Sequence, residues 1–274
     1  MSRSKLGFST LVGLILGVSF VFGAIAESGH FDYFWNLPSF FITIGGTFAS
    51  VIMAYPPSNL KTLLPVMRSA FVKDQTDPQK DIETIVQISK EVRSNGILVI
   101  EEIVNRIEDD KFLKEALLLI ADGINEEDLR NRLEGVLYFT KQRHNKGIGM
   151  LNMIAATAPA LGLVGTYVGL IPMLHSLDDP TSLGPMMAIE LVSSFYGGII
   201  AYIVFSPLAK RLKTMSEEET DRNEMIIEGL MGIVQGKNPR IIESDLVAFM
   251  NISLKPAENR VEARMQSNPQ EEVA

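Results

Sequence analysis

The sequence predicts an all-α polytopic membrane protein with four transmembrane helices and a helical cytoplasmic domain. Three observations carry that prediction. Residues 6–26, 33–55 and 147–177 contain no Asp, Glu, Lys or Arg, and from Pro185 to Ala209 the single formal charge is Glu190. Each run can supply about 20 helical residues, which at about 1.5 Å per residue cross the roughly 30 Å of bilayer hydrocarbon. Lys and Arg cluster on one side of these runs, at Arg3, Lys5, Lys61, Arg68, Lys141, Arg143, Lys146, Lys210, Arg211 and Lys213. The short loops on the other side carry Glu27, Asp32, Asp178 and Asp179 instead. Finally, the polar segments show helical and not alternating apolar spacing.

The first pair of spans occupies residues 1–55. Arg3 and Lys5 ahead of an apolar run also describe a cleaved signal peptide, but this run is longer than a signal core and three more spans follow it. Gly13, Gly17, Ser19 and Gly23 offer a neighbouring helix a close approach, an enrichment also common in membrane helices generally. Pro38 suits the first turn of the second span, and Trp35 and Tyr55 suit its two headgroup regions. Pro56 and Pro57 then end the span.

Residues 56–147 read as a cytoplasmic helical domain. Ile82, Ile85, Val86, Val92, Ile103, Val104 and Ile107 recur at helical spacing, with an interruption expected at Asn95 and Gly96. Further short helices are expected over 112–120 and 129–139, the latter started by Glu126, Glu127 and Asp128 against the helix dipole. The second span pair covers 148–209. The tail, 210–274, opens on an acidic helical stretch, adds a helix over 244–250 and becomes polar from about Pro256. The basic flanks place both termini and the 56–147 segment in the cytoplasm, leaving almost no external mass to recognise a ligand.

Composition narrows the function. The net charge of −8 argues against general nucleic-acid binding, and the lack of cysteine removes disulfides, metal thiolates and cysteine nucleophiles. There is no glycine-rich phosphate loop for a nucleotide, no cofactor motif, and no sign of an enzyme. His175 and Glu190 have no metal-ligand cluster around them in the sequence, and either can hydrate at an interface.

The stretch APALGLVGTYVGL at 158–170, followed by LGPMMAIE at 183–190, SSFYG at 193–197 and SPLAKRLK at 206–213, resembles the MotA, TolQ and ExbB family of proton-channel proteins. Four spans with a large insertion between the second and third match the MotA arrangement better than the three-span TolQ and ExbB one. The resemblance implies a flagellar stator subunit of the bacterial inner membrane: a self-associated ring of five chains around two copies of a MotB-like single-span protein anchored to peptidoglycan, with the rotor protein FliG as cytoplasmic partner. It implies translocated H⁺, with Na⁺ open; an ExbB-like energiser of an envelope protein and a non-conducting scaffold are the competing readings.

The same resemblance implies roles for particular residues. Pro159 matches a proline near the ion path and Pro207 one that transmits torque; without the motif a packing kink and a boundary residue are the better explanations. Thr166 and Ser194 are the ion-path hydroxyls. Each can ligate an ion or water, or close on a carbonyl of its own helix. Ser194 stands where sodium-driven relatives commonly carry threonine, which favours H⁺. Glu190 departs from the small residue expected there and is a candidate for ion entry. Arg93 and Glu101 match the charged pair facing the rotor; eight residues apart, they share a broad face if their helix is unbroken. Small residues Ala158, Gly162, Gly165, Thr166 and Gly169 are expected to form a thin face toward the central partner.

Overall fold

A computed structural model describes residues 8–71, 77–107, 110–178 and 180–253. Arg3, Lys5, Asp179 and the tail beyond Ser253 lie outside the described residues. The chain divides into two compact units, one drawn from residues 3–74 and 142–215, the other from 75–141 and 216–274.

The first unit begins with α1 (Phe8–Ser28), of whose described side chains Ile25 alone is buried. A 3₁₀ turn, Phe31–Phe34, leads to the second span, which starts as α2 (Leu37–Phe40). Asn36 caps it: its Oδ1 accepts from the Ser39 N–H at 3.0 Å, and Pro38 occupies a first-turn position where no donor is needed. The span widens into a π segment, Phe41–Gly45, whose end is marked by the Gly46 N–H donating to the Phe41 carbonyl five residues back, and finishes as α3 (Gly46–Ala54). An extended Tyr55 and Pro56 turn the chain into α4 (Pro57–Ser69).

α4 packs within this unit. Its Leu60, Leu63, Val66 and Met67 adjoin a buried cluster that includes Val51, Ile148, Leu151, Ile154, Phe205, Leu208 and Leu212. A Cβ on Gly147 would lie 3.0 Å from the Val66 methyls, so glycine there sets the approach of α4.

In the second unit, α5 (Pro78–Asn95) stops at Gly96, whose φ of +84° ends the helix where the sequence placed an interruption. A 3₁₀ turn, Ile97–Val99, and α6 (Ile100–Arg106) follow. Arg93 and Glu101 therefore sit on different helices, and the angle expected for one unbroken helix does not apply. α7 (Lys111–Ala121) is capped by Asp110, whose Oδ1 accepts from the Leu113 N–H at 2.9 Å.

α8 (Glu126–His175) differs from the expected short helix at 129–139 plus a separate span: it is one helix of 50 residues, belonging in part to each unit. Its start is fixed by Asn125, whose Oδ1 accepts from the Asp128 N–H at 2.9 Å, and by the three carboxylates of its first turn. Between Leu137 and Ile148 the sequence turns from amphipathic to wholly apolar, but that change of surroundings leaves every backbone hydrogen bond in place. α9 (Pro180–Gly198) begins the fourth span, a second π segment covers Ile199–Phe205, and α10 (Ser206–Val234) continues from it. α11 (Pro239–Ser253) is longer than the final helix expected. Four helical stretches are long and apolar enough to cross a membrane among the described residues.

The core of the second unit unites Ile85, Ile100, Leu117, Leu129, Ile226, Leu230, Ile242 and Leu246, all at most 2% exposed. Each such side chain contributes about 1.5–3 kcal/mol by leaving water. One polar junction accompanies this core. Arg222 of α10 donates from Nε to Asp81 Oδ2 at 2.6 Å and from Nη2 to Asp81 Oδ1 at 2.7 Å, and the same nitrogen reaches Asp110. Asp81 lies in the first turn of α5, and Asp110 caps α7, so one guanidinium joins the starts of two helices. Burial opposes its charge, but the two aspartates outweigh that and hold Arg222 more firmly protonated than a free arginine.

Removing the guanidinium strands two largely buried carboxylates. Arg222→Ala is expected to destabilise this unit by on the order of 3 kcal/mol, and Arg222→Lys to recover only part of it because an ammonium cannot form the paired geometry. Thermal melts of the purified variants in detergent check this; an unchanged Tm for Arg222→Ala would contradict the role.

Candidate functional site

The residues nominated for the ion path gather where α8 crosses α9. A Cβ on Gly165 would stand 2.2 Å from Ser193 Oγ, on Gly162 3.0 Å from the Ser193 carbonyl oxygen, and on Gly169 2.5 Å from the Met186 carbonyl oxygen. From the other side, a Cβ on Gly197 would be 2.7 Å from the Ala158 carbonyl oxygen and 3.1 Å from Pro159 Cα. These four glycines let two backbones touch across about a dozen residues of α8, the small-residue contact that stabilises helix pairs in lipid. The thin face expected to meet a central partner is thus taken up, at Ala158, Gly162, Gly165 and Gly169, by the chain's own fourth span. The reason is the short loop between the helices, which puts α9 next to α8 ahead of any second chain.

Pro159, Leu163, Thr166 and Leu170 lie on another stripe of α8. Pro159 and Thr166 are seven residues apart, so their directions differ by only about 20°. Both are half-buried, and Leu163 between them is 52% exposed. Pro159 leaves the Ala155 carbonyl without its helical donor. The Thr166 hydroxyl donates to the Leu163 carbonyl at 2.7 Å, the local closure left open by the sequence; its lone pairs remain available to an ion or a water proton. Ser194 has its Cα 3.2 Å from the position of a Cβ on Gly162, while its side chain is exposed. The three therefore flank the same crossing: Ser194 abuts it at Gly162, with Pro159 and Thr166 to either side along α8.

Glu190 is half-buried, and its backbone N–H passes the α-carbon of Gly169, where a Cβ would be 2.9 Å away. His175 is exposed at the end of α8. No group of three or more His, Cys, Asp or Glu side chains that could hold a metal ion occurs among the described residues. Pro207 is exposed in the first turn of α10, directly after the π segment. There the Ser206 N–H donates to the Ala201 carbonyl, five residues back, so the helix has already changed phase where proline lacks a donor. Arg93 and Glu101 are exposed, one in the last turn of α5 and the other in the first turn of α6.

A column of buried hydroxyls was not singled out from the sequence. Ser39 and Thr43 are fully buried and face α9 from the second span, and Thr47, one turn further on, is 1% exposed. The Ser39 hydroxyl is 3.0 Å from the Ile189 carbonyl oxygen, Thr43 Oγ1 donates to the Ser193 carbonyl at 3.3 Å, and Thr47 Oγ1 donates to the Thr43 carbonyl at 2.5 Å. Nearby, the Tyr196 hydroxyl donates to the Phe34 carbonyl at 2.6 Å. The spacing of four between Ser39, Thr43 and Thr47 in an apolar run was the available signal. Ser193, buried and with no hydrogen-bond partner for its Oγ among the described residues, also occupies the crossing more fully than its neighbour Ser194.

Comparison with known proteins gives a consistent picture. Residues 105–225 match the MotA/TolQ/ExbB proton channel family. YtxD of Bacillus subtilis is 39% identical over 89% of this chain and 91% of its own length. Motility protein A of Treponema phagedenis is 36% identical over 81% of this chain and 86% of its own. Among solved structures, the flagellar MotAB stator complex from Bacillus subtilis superposes with a TM-score of 0.79 at 27% identity, covering 92% of this chain and 97% of that one.

The crossing is directly testable. Gly165→Ala forces a methyl group into Ser193 and is expected to cost about 1–3 kcal/mol through overpacking. The double variant Gly165→Ala with Ser193→Gly, which removes the opposing Cβ and Oγ, is expected to recover most of the loss. Melting temperatures in detergent are the readout, with Gly13→Ala, which meets nothing within 4 Å, as the neutral comparison. Equal tolerance of Gly165→Ala and Gly13→Ala would refute the contact.

Proposed function

Because the chain belongs to the MotA/TolQ/ExbB proton channel family, we propose that it is the membrane subunit of a flagellar-type stator, which with a MotB-like partner couples ion flow to torque on a rotor. The observation that carries this reading is the extent of the likeness to the MotAB stator complex, 92% of this chain, which takes in the polar insertion and tail as well as the four spans. In this reading the chain resides in the bacterial inner membrane with both termini and the polar unit in the cytoplasm. Five copies surround two copies of the partner.

The division of chemical labour follows from the spans. Residues 8–26, 33–55 and 147–177 contain no Asp or Glu, and Glu190 is the sole carboxylate of the fourth span. Passage through hydrocarbon needs a group whose charge is cancelled as the ion binds, since a permanent buried charge is heavily penalised. Threonine and serine hydroxyls orient water or ligate an ion but accept no proton near neutral pH. The acceptor therefore comes from a carboxylate on the partner's span. Pro159, Thr166 and Ser194 line its surroundings, where the freed Ala155 carbonyl and the hydroxyl lone pairs stabilise a proton-carrying water or a cation. Glu190, about 25 Å of helix rise from Pro207 and toward the opposite side of the membrane, raises the local cation concentration at the entry. Ser194 in place of threonine favours H⁺ over Na⁺.

Torque is assigned to the other end. Pro207 follows a stretch whose hydrogen bonds already run in the looser π pattern, so the helix can bend there at low cost when the ion site changes charge. Arg93 and Glu101 face a FliG-type rotor protein across the break at Gly96, each presenting its charge to solvent.

Two experiments test this. In reconstituted vesicles, ion flux is expected to require the partner's membrane Asp, to be lost when that residue is changed to Asn, and to be reduced but retained in Glu190→Gln. Coupled flux by this chain alone would overturn the assignment. In cells, a cysteine placed at Arg93 is expected to be shielded from an impermeant maleimide while one at Leu177 is labelled. Arg93→Glu is expected to abolish swimming torque without loss of assembly, and an opposite reversal on the rotor to restore part of it. Restoration failing while assembly persists would remove Arg93 from the contact.

A further inference from the structure

The membrane unit carries a one-signed charge set at one end. Its described polar stretches, 56–71, 142–148 and 206–215, contain seven Lys and Arg and not one Asp or Glu, although the whole chain is acidic at −8. Topology alone asks for such a bias, but it does not ask for what Arg211 does. Its neighbours Leu208, Ala209 and Leu212 are buried in the cluster with Ile148 and Leu151, and Arg211 itself is half-buried alongside them. The Arg211 Nε–H is sealed from solvent with no acceptor among the described residues, while Lys210 next to it is exposed. An arginine donor withdrawn from water without an acceptor costs several times what a normal hydrogen bond returns, so its position calls for an anion.

Depth and charge identify the anion. Arg211 lies 28 residues beyond Leu183, about 42 Å by helix rise, which matches the roughly 40–45 Å of hydrocarbon plus headgroups. At that level the abundant anion is a lipid phosphate, and basic side chains between membrane helices are the usual way to hold one. Arginine suits the task because its planar donors match a phosphate's oxygens, whereas an ammonium acts as a point charge.

We propose that Arg211 is the centre of a binding site for the phosphate of an anionic phospholipid in the leaflet at the basic ends of the spans, with exposed Lys146 and Lys210 supplying further positive charge. The phosphate lies against the part-exposed guanidinium, and a turn of the side chain toward it gives the Nε–H an acceptor. This rests on the chain spanning a membrane and not on its role at a rotor, so failure of the torque experiments leaves it standing.

The test uses the full chain purified in nanodiscs of phosphatidylcholine, into which phosphatidylglycerol is titrated; native mass spectrometry counts retained lipid and a thermal melt follows stability. Charge-conserving variants separate a built site from surface charge. Arg211→Lys is expected to weaken phosphatidylglycerol retention about tenfold, the scale of one charge-assisted hydrogen bond, and to lose the lipid-dependent rise in Tm. Lys210→Arg is expected to behave as the parent. Arg211→Gln, which removes the charge as well, is expected to bind no better than Arg211→Lys. Parent-like retention by Arg211→Lys or by Arg211→Gln would overturn the proposal. So would inorganic phosphate reproducing the full rise in Tm in pure phosphatidylcholine, which would make this a free-anion site. A loss of oligomer in Arg211→Lys without any anionic lipid would overturn it too, pointing to a carboxylate of a second copy.

Discussion

The contact between α8 and α9 is the constraint on which the membrane unit depends. Hydrocarbon offers helices no hydrophobic reason to associate, so they hold together by close fit and by hydrogen bonds that cannot be traded for water. Gly162, Gly165, Gly169 and Gly197 permit the close fit. Ser39 and Thr43 add hydroxyl contacts from the second span to the carbonyls of Ile189 and Ser193. The outcome is a close-packed three-helix wall, on which Pro159 and Thr166 stay half-buried and Leu163 between them exposed. The ion path proposed along this wall would need surroundings that do not reorganise, and a wall built on backbone contact meets that need better than one built on flexible side chains.

The polar unit is held by different means. There water drives burial, and the fully buried Ile and Leu side chains provide the cohesion. The Arg222 junction adds direction, because one guanidinium shared between Asp81 and Asp110 fixes the starts of α5 and α7 relative to α10. Arg93 and Glu101, at the end of α5 and the start of α6, inherit their placement from that same framework.

The four spans were legible because absence of charge over some 20 residues and a proline at a helix start each have a direct physical meaning, whereas the Asn36 cap emerged only in the structure. Gly96 was legible for the same reason. The unity of α8 was not: the change at Lys141 to Gly147 from amphipathic to apolar is a change of solvent, and solvent does not set the backbone. Nor was the ranking of Ser193 over Ser194. In a helix apolar on all sides, the rotation that decides which of two adjacent hydroxyls faces inward comes from the neighbouring helix and not from its own pattern. The glycines were seen, but the sequence could not say whether the surface they thin belongs to a partner or to the hairpin itself. Ser39, Thr43 and Thr47 carried a readable spacing that a search for charged groups passes over.

The π segment at Ile199–Phe205 bears on how this chain can vary by descent. Its widened ring seats Phe205, Leu208, Ala209 and Leu212 in the cluster around Ile148. An i→i+5 pattern turns less per residue than an i→i+4 one, so these seven residues turn the chain about as far as six in the α pattern. One residue lost there is absorbed as the segment relaxes to α geometry, and the later positions keep their faces, with Lys210 outside and the cluster's side chains within. The length of the fourth span can thus change by one at this place without a change of register beyond it.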